Sequence, residues 1–252
     1  MGETIKTRNM ANTVFQDVNL NHSHFEDVNL QDAVFCEVNL SGVRIDDANI
    51  AGLTILGVRV DEWIRAELAR RDPDAATLCA FDPHDPACIH ALLRRLDQER
   101  HRFKEHLRAA DECALNRRPG KGRWSALEHL RHLVLAEELY THRWILRDTA
   151  PLSPLGLLPR FLVGRPGFEI VGTDGTENLA AVLQAWDQVH RLTLAFVARV
   201  TADQLKRSTA DVDFGQGTVG GVLAGMAHHD RHHVRRAQSA LEAAQTWLKT
   251  RT

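Results

Sequence analysis

Apolar residues recur at every fifth position over the first sixty residues of this chain. From position 15 onward every slot of the series holds a large apolar side chain: Phe15, Leu20, Phe25, Leu30, Phe35, Leu40, Ile45, Ile50, Ile55 and Val60. Residues of small or modest size stand two positions earlier in each repeat, from Thr13 to Val58. A period of five fits neither the 3.6 residues of a helical turn nor the alternation of a flat strand. The pattern therefore predicts a square coil over 13–60, in which two residues of every five point inward.

The tripeptides that carry this period resemble the signature of pentapeptide-repeat proteins. Val18-Asn19-Leu20 recurs as Val28-Asn29-Leu30 and as Val38-Asn39-Leu40. In that family four pentapeptides form one coil of a right-handed quadrilateral β-solenoid. The resemblance implies about two and a half coils here, a column of roughly 12 Å at strand spacing. Open solenoid ends need caps, and the segment 61–71 is expected to form a C-terminal cap helix.

Outward positions of the repeats are acidic. These positions hold seven acidic and two basic residues, an excess of five negative charges: Asp17, Glu26, Asp27, Asp32, Glu37, Asp46 and Asp47 against Arg44 and Arg59. Some pentapeptide-repeat proteins present a long acidic face that mimics DNA and binds gyrase, but the column expected here is short for that. We expect the repeats to act as a scaffold or dimerisation module, with gyrase protection as an alternative.

Composition argues against several other classes of protein. The formal net charge of −2 over 252 residues predicts neither nucleic acid nor an anionic membrane as a partner. No apolar run reaches the roughly 18 residues of a membrane span, and the first thirty residues lack the order of a signal peptide. The four cysteines show no ligand spacing: Cys36, Cys79, Cys88 and Cys113. We interpret them as reduced thiols of a cytoplasmic protein.

Turn-forming residues predict where the repeat region ends. Asp72-Pro73-Asp74 and Asp82-Pro83-His84-Asp85-Pro86 break any regular structure. The sequence thus predicts a repeat domain with its cap at 1–71, a linker at 72–86 and a second domain at 87–252. The expected fold class is α+β by segregation: a short β-solenoid with its cap helix, followed by an all-α four-helix bundle beyond the linker.

The second domain reads as four helices, at about 87–115, 124–148, 176–200 and 218–247. Ser125 and Glu128 form the pattern of a capping box at the start of the second helix. Thr218 is the expected N-cap of the fourth. The stretch of about 27 residues between helices two and three is long for a compact domain. It is the length that a four-helix bundle needs when consecutive helices run parallel.

Histidines interrupt the apolar stripe of the fourth helix. Apolar residues recur there at steps of three and four: Val219, Val222, Met226, Ala237, Ala240 and Ala244. Continuing the stripe through the gap places His229 and His233 on the same face. Their i, i+4 spacing brings two imidazoles to one point, as in other helical metal pairs. His228 and His232 share the spacing but sit about 100° round the helix.

The segment His229-Asp230-Arg231-His232-His233 resembles the last helix of DinB-like proteins, which are metal-dependent four-helix bundles. In that superfamily the first and last histidines of the His-Asp-x-His-His segment bind the metal. Here those positions are His229 and His233.

A second match lies in helix two. The family pattern of Trp-Ser, a Glu and then His-Leu is met by Trp124-Ser125, Glu128 and His132-Leu133. The resemblance covers most of residues 87–247 and implies His132 as the third ligand. From the residue pattern alone, His129 on the preceding turn is an alternative. The histidines at 101, 106, 142 and 190 lie in polar surroundings and are expected to be solvated.

Three imidazoles leave a metal open to water or another ligand, which is typical of catalytic sites. A divalent transition metal is therefore expected, zinc first, with nickel or ferrous iron as alternatives. Characterised DinB-like enzymes include thiol-dependent transferases and isomerases and metal hydrolases. By resemblance we expect a low-molecular-weight thiol or water to attack an electrophilic small molecule, with Glu137 as a base or supporting residue. A non-enzymatic scaffold or stress protein, acting as a homodimer through the repeats, is the alternative.

Overall fold

The computed structural model describes residues 5, 10–25, 28, 30, 32–45, 50, 52–71, 82–120, 122–159, 178–209 and 217–251. The chain divides into two compact units, Met1–Ala48 and Asn49–Thr252. Among the described residues no helix combines the length and the apolar character that crossing a bilayer requires.

The five-residue period of the first unit is present in its backbone. A positive φ recurs every five residues wherever the backbone is described: Asn12, Asp17, His22, Asp32, Glu37 and Gly42. Every second repeat also closes a turn in which an amide donates to the carbonyl three residues earlier, for example Ser23 to Leu20 and Val43 to Leu40, both at 3.1 Å. A positive φ at the third residue of such a turn is the geometry of type II. The repeat is therefore a repeat of turns.

The fifth-position side chains of the first unit stay about half exposed. Phe15 is 57% exposed, Leu20 is 48% exposed and Phe35 is 60% exposed. In the described part of residues 10–45 no strand pairing joins one repeat to another. The recurring turns agree with the repeat pattern, whereas the stacked quadrilateral solenoid stays a prediction.

A short hairpin and a helix open the second unit. Strand β1, Thr54–Ile55, pairs antiparallel with β2, Val58–Arg59. Leu56 and Gly57 between them both have positive φ, as a two-residue type I′ hairpin requires. Helix α1 follows at Val60–Arg71, so the helix expected at 61–71 is present. Trp63 of this helix is 69% exposed, and the capping role of α1 stays a prediction. The linker expected at 72–86 also stays a prediction, because residues 72–81 lie outside the described residues.

Four long helical segments build the rest of the second unit. Their bounds and those of the smaller elements are α2 Pro86–Arg108, α3 Glu112–Asn116, α4 Ala126–Glu137 with a π-helical segment at Glu138–Ile145, α5 Leu179–Val197, α6 Ala202–Lys206, β3 Ser208–Thr209, β4 Gly217–Thr218 and α7 Val219–Lys249. The helix expected at 87–115 is split in two. Asp111 takes an extended conformation and accepts a hydrogen bond from the amide of Cys113 at 2.7 Å, so that it caps α3.

Helices α4 and α5 run in the same direction. Glu137 of α4 bonds His190 of α5, and one turn later Thr141 bonds Thr193. Because both partners advance along the chain together, the connection between α4 and α5 must return along the bundle. The described part of this connection is packed: Leu152 and Leu158 are buried against Leu135 of α4.

Helix α4 lies between α5 and α7, and α2 lies between the same two neighbours on the opposite side. Both caps expected at the helix starts are present. Ser125 and Glu128 form a reciprocal capping box at α4, and the hydroxyl of Thr218 accepts from the amide of Gly221 at α7. These caps fix where α4 and α7 begin.

Candidate metal centre

The apolar stripe of α7 faces the core, and its histidines share that face. Every apolar member of the stripe is buried: Val219, Val222, Met226, Ala237, Ala240 and Ala244. His233 is 5% exposed, His229 is half-buried and His228 is exposed. The burial of His233 and the exposure of His228 agree with the periodicity, whereas His232 is half-buried like His229.

His132 projects from α4 towards the same point. Its Nδ1 lies 3.2 Å from the backbone carbonyl oxygen of Leu157. Because a carbonyl can only accept, Nδ1 carries the proton and Nε2 carries the free lone pair. That Nε2 lies 3.2 Å from Nε2 of His229. The connection after α4 thus fixes the ring that faces α7.

His132, His229 and His233 converge tightly enough to share one ion. Each offers one ring nitrogen, and the three nitrogens all lie within 4.8 Å of one another. Two imidazole nitrogens bound to one tetrahedral zinc at about 2.0–2.1 Å are about 3.3 Å apart. The 3.2 Å separation of the His132 and His229 nitrogens matches that requirement. The donor set and its spacing therefore fit a transition metal.

His129, the alternative to His132, also lies at the site but in another position. Its Nδ1 is 2.9 Å from Nδ1 of His233, and its ring is half-buried. One of these two nitrogens must donate to the other. His129 therefore has the geometry of a residue that orients His233, while His132 belongs to the converging trio.

Aromatic side chains line two sides of the histidine cluster. The Trp124 ring packs against His132 at 4.9 Å between ring centroids and against His233 at 5.9 Å. On another side, the half-buried Tyr140 has its ring 5.7 Å from that of His229 and 4.8 Å from that of Trp144. Tyr140 lies in the π-helical segment that continues α4, and such segments are frequent at functional sites.

Burial keeps the cluster uncharged. Desolvation lowers the pKa of His132 to about 4, although its bond to Leu157 acts in the opposite direction. Desolvation and the neighbouring histidines lower the pKa of His129 to about 3. The same two causes place the pKa values of His229 and His233 well below the usual range for histidine. All four rings are thus neutral near pH 7, the form in which imidazole binds metals.

Glu137 lies in a buried polar network. It is fully buried; its carboxylate accepts from Arg100 at 2.6 Å and from Nδ1 of His190 at 2.7 Å. Burial opposes its ionisation, but the charge of Arg100 and the contact with His190 outweigh burial and lower its pKa. Both carboxylate oxygens are engaged away from the trio, so these contacts give no support to a role as catalytic base.

The network contains residues that the sequence analysis missed. His190 was expected to be solvated but is 4% exposed, while His101 and His106 are exposed as expected. His190 lies one turn after the buried Trp186, and that spacing was the available signal. Asp230 of α7 is fully buried and lies 3.5 Å from Arg100. Desolvation raises the pKa of Asp230.

The fold and the site define a helical bundle with a histidine cluster buried between two of its helices. The sequence profile of the DinB superfamily matches residues 95–237, which is more than half of the chain. The chain therefore belongs to the DinB superfamily. The profile of pentapeptide repeats matches residues 13–50 in eight copies, so both modules recognised in the sequence are present.

Among solved structures, the crystal structure of TT2238, described as a four-helix bundle protein, is similar at 23% sequence identity. The similarity covers 60% of this chain and 98% of that chain, with a TM-score of 0.43. No curated protein matches the chain significantly.

Proposed function

We propose that the second unit is a metal-dependent enzyme of the DinB type. In this proposal His132, His229 and His233 hold a divalent transition metal, with zinc as the first candidate and nickel or ferrous iron as alternatives. The observation that carries the proposal is the convergence of three neutral imidazoles from two helices on one point, within 4.8 Å.

The chemistry follows from the donor set. A metal held by three neutral nitrogens keeps a position for water or a thiol, and can lower the pKa of bound water to about 7 or hold a thiol as thiolate. The thiol sulfur or the water oxygen would bond to the electrophilic atom of a small molecule and displace its leaving group, which would depart with the proton released by the thiol or water. Trp124 and Tyr140 would form apolar walls beside the reacting atoms, because their rings pack on the trio.

Metal analysis of the purified full-length protein tests the proposal. We expect one equivalent of zinc or another transition metal per chain, and its loss in His233→Ala. His228→Ala is the matched control because His228 lies on the exposed side of the same helix. A wild-type chain that binds no transition metal when purified, and none when reloaded with zinc, would sink the proposal.

The repeats support a second candidate function, a scaffold or dimerisation module. The supporting observation is the row of half-exposed apolar side chains at every fifth position, including Phe15, Leu20 and Phe35. Light scattering of the full-length protein tests it: we expect a dimer, and a monomer after Phe25→Ser and Phe35→Ser. A monomeric wild-type protein would contradict the dimerisation proposal without affecting the proposal of a metal site.

The cysteines are relevant to the subcellular localisation of this protein. The described cysteines, Cys36, Cys88 and Cys113, are free thiols. Because such thiols persist in a reducing compartment, they support the proposal that the protein is cytoplasmic.

A further inference from the structure

One buried polar network joins all four long helices. Arg100 of α2 donates to Glu137 of α4 at 2.6 Å, and His190 of α5 donates to the other oxygen of Glu137 at 2.7 Å. On the remaining side, Nη2 of Arg100 lies 3.5 Å from a carboxylate oxygen of Asp230 on α7. The four side chains are at most 5% exposed.

From this arrangement we infer that Arg100 is a positioning residue for the metal centre, holding His132 of α4 in register with His229 and His233 of α7. The inference rests on the proposed metal-binding function. It concerns a residue on a helix that carries no ligand of the trio.

The network is poorly explained as a source of stability. Buried ion pairs lose their hydration, and well-packed apolar residues in their place are often neutral or stabilising. Several polar atoms of the network lack a hydrogen bond in the described part of the chain: Nε and Nη1 of Arg100 and both carboxylate oxygens of Asp230. Buried polar atoms without hydrogen bonds lower the stability of the folded protein. What the network does supply is a set of links between helices that apolar packing alone would leave free to slide. Hydrogen bonds of Glu137 join α4 to α2 and α5, and the 3.5 Å ion pair of Arg100 with Asp230 extends the connection to α7.

The partners of Arg100 sit next to the ligands. Asp230 follows His229 directly on α7, and Glu137 lies five residues beyond His132 on α4, about 7.5 Å along the helix. A slip of one residue moves a helix by about 1.5 Å and turns it by about 100°. Such a slip would separate the His132 and His229 nitrogens, which are 3.2 Å apart.

Lys104 provides a matched control. It lies one turn after Arg100 on α2 and is also buried. Both cations sit over the Trp186 ring, Arg100 at 4.0 Å and Lys104 at 5.2 Å. The ion-pair partner of Lys104 is Asp187 of α5. That ion pair joins α2 to α5, the two long helices that carry no ligand of the trio.

Cobalt(II) binding to full-length variants tests the inference. We compare Arg100→Met with Lys104→Met at a temperature where circular dichroism shows both folded, measuring the cobalt Kd and the visible bands that report coordination geometry. Arg100→Met should raise the Kd about 10- to 100-fold, the usual effect of residues that support metal ligands, and alter the bands. Lys104→Met should change the Kd less than threefold.

Other outcomes overturn the inference in distinguishable ways. Equal cobalt Kd values and identical bands in the two variants would make Arg100 merely structural. A wild-type chain that binds no cobalt refutes the proposed function, and the positioning role falls with it. If Arg100→Met does not fold, Arg100→Lys, which keeps the charge but loses the planar fork, takes its place and must still shift the cobalt bands.

Discussion

Nδ1 of His132 donates to the carbonyl oxygen of Leu157 across 3.2 Å. This hydrogen bond decides which nitrogen of the ring is free for a ligand, because an imidazole with its proton on Nδ1 presents its lone pair on Nε2. The contact ties α4 to the connection that follows it, so the geometry of the candidate ligand depends on a segment outside the helices that carry the histidines.

The tautomer of His132 is directly measurable. We expect a single form protonated at Nδ1 in the metal-free protein, seen in the nitrogen chemical shifts of the ring by long-range ¹H–¹⁵N NMR. His106 is exposed and should show averaged tautomers under the same conditions. Protonation of His132 at Nε2 would contradict the assignment, since the Nδ1 lone pair would then face the Leu157 carbonyl.

The two histidines of α4 should differ in their effect on metal binding. His132→Ala removes one of the three proposed ligands, and we expect no stoichiometric binding of zinc at micromolar concentration. His129→Ala removes the contacts with His233 and Trp124 but none of the proposed ligands. The zinc Kd should therefore rise about 10- to 100-fold while one equivalent still binds. Isothermal titration of zinc into both variants measures this. The reverse order of severity would make His129 the ligand.

Two glycines of α7 should respond oppositely to alanine. A Cβ at Gly220 would lie 1.8 Å from the carbonyl oxygen of Pro83, whereas one at Gly225 meets no atom within 4 Å. Gly220→Ala must displace the turn before α2, and we expect it to lower the free energy of unfolding by about 2 kcal/mol or more. Gly225→Ala should raise it by about 0.5–1 kcal/mol through helix propensity. Urea unfolding gives both values, and equal effects would refute the close approach.

The capping box at the start of α4 should contribute measurably to stability. Ser125→Ala leaves the amide of Glu128 without its hydroxyl partner, and such losses cost about 1 kcal/mol. Ser239→Ala, on the exposed side of α7, should change the free energy of unfolding by less than about 0.5 kcal/mol. Thermal unfolding of the two variants beside wild type provides the measurement. A Ser125 variant as stable as the Ser239 control would be inconsistent with the capping box.

The stability contributed by Glu137 should depend on pH. Arg100 and His190 hold its pKa below the ordinary value, so folding favours the ionised form. The contribution is fully present above the unfolded pKa of about 4.3, and it is lost as the pH falls through the lowered folded value. Glu137→Gln should thus lower the free energy of unfolding by about 3 kcal/mol at pH 7. The difference in unfolding free energy between the variant and wild type should narrow below pH 4. A gap that is constant from pH 7 to pH 3 would contradict this.

The sequence contained most of the candidate metal site. The stripe of α7 predicted that His229 and His233 point inward, because burial of an apolar face fixes the rotation of a helix about its axis. His132 followed from the resemblance to the DinB superfamily. The network of His190 and Asp230 was not predicted. The spacing of His190 from Trp186 can indicate that His190 is buried, but no pattern within one helix reveals which residues of other helices pair with it.

Local chemistry is what the sequence alone determined: the five-residue repeat of turns, the caps at Ser125 and Thr218, and the inward face of α7. Each depends on residues within about one turn or one repeat of one another. The tertiary structure decided the rest, including the break at Asp111, the Leu157 carbonyl that orients His132, and the network through which Arg100 joins four helices. These features depend on contacts between residues far apart in the chain, and such contacts exist only once the helices have packed.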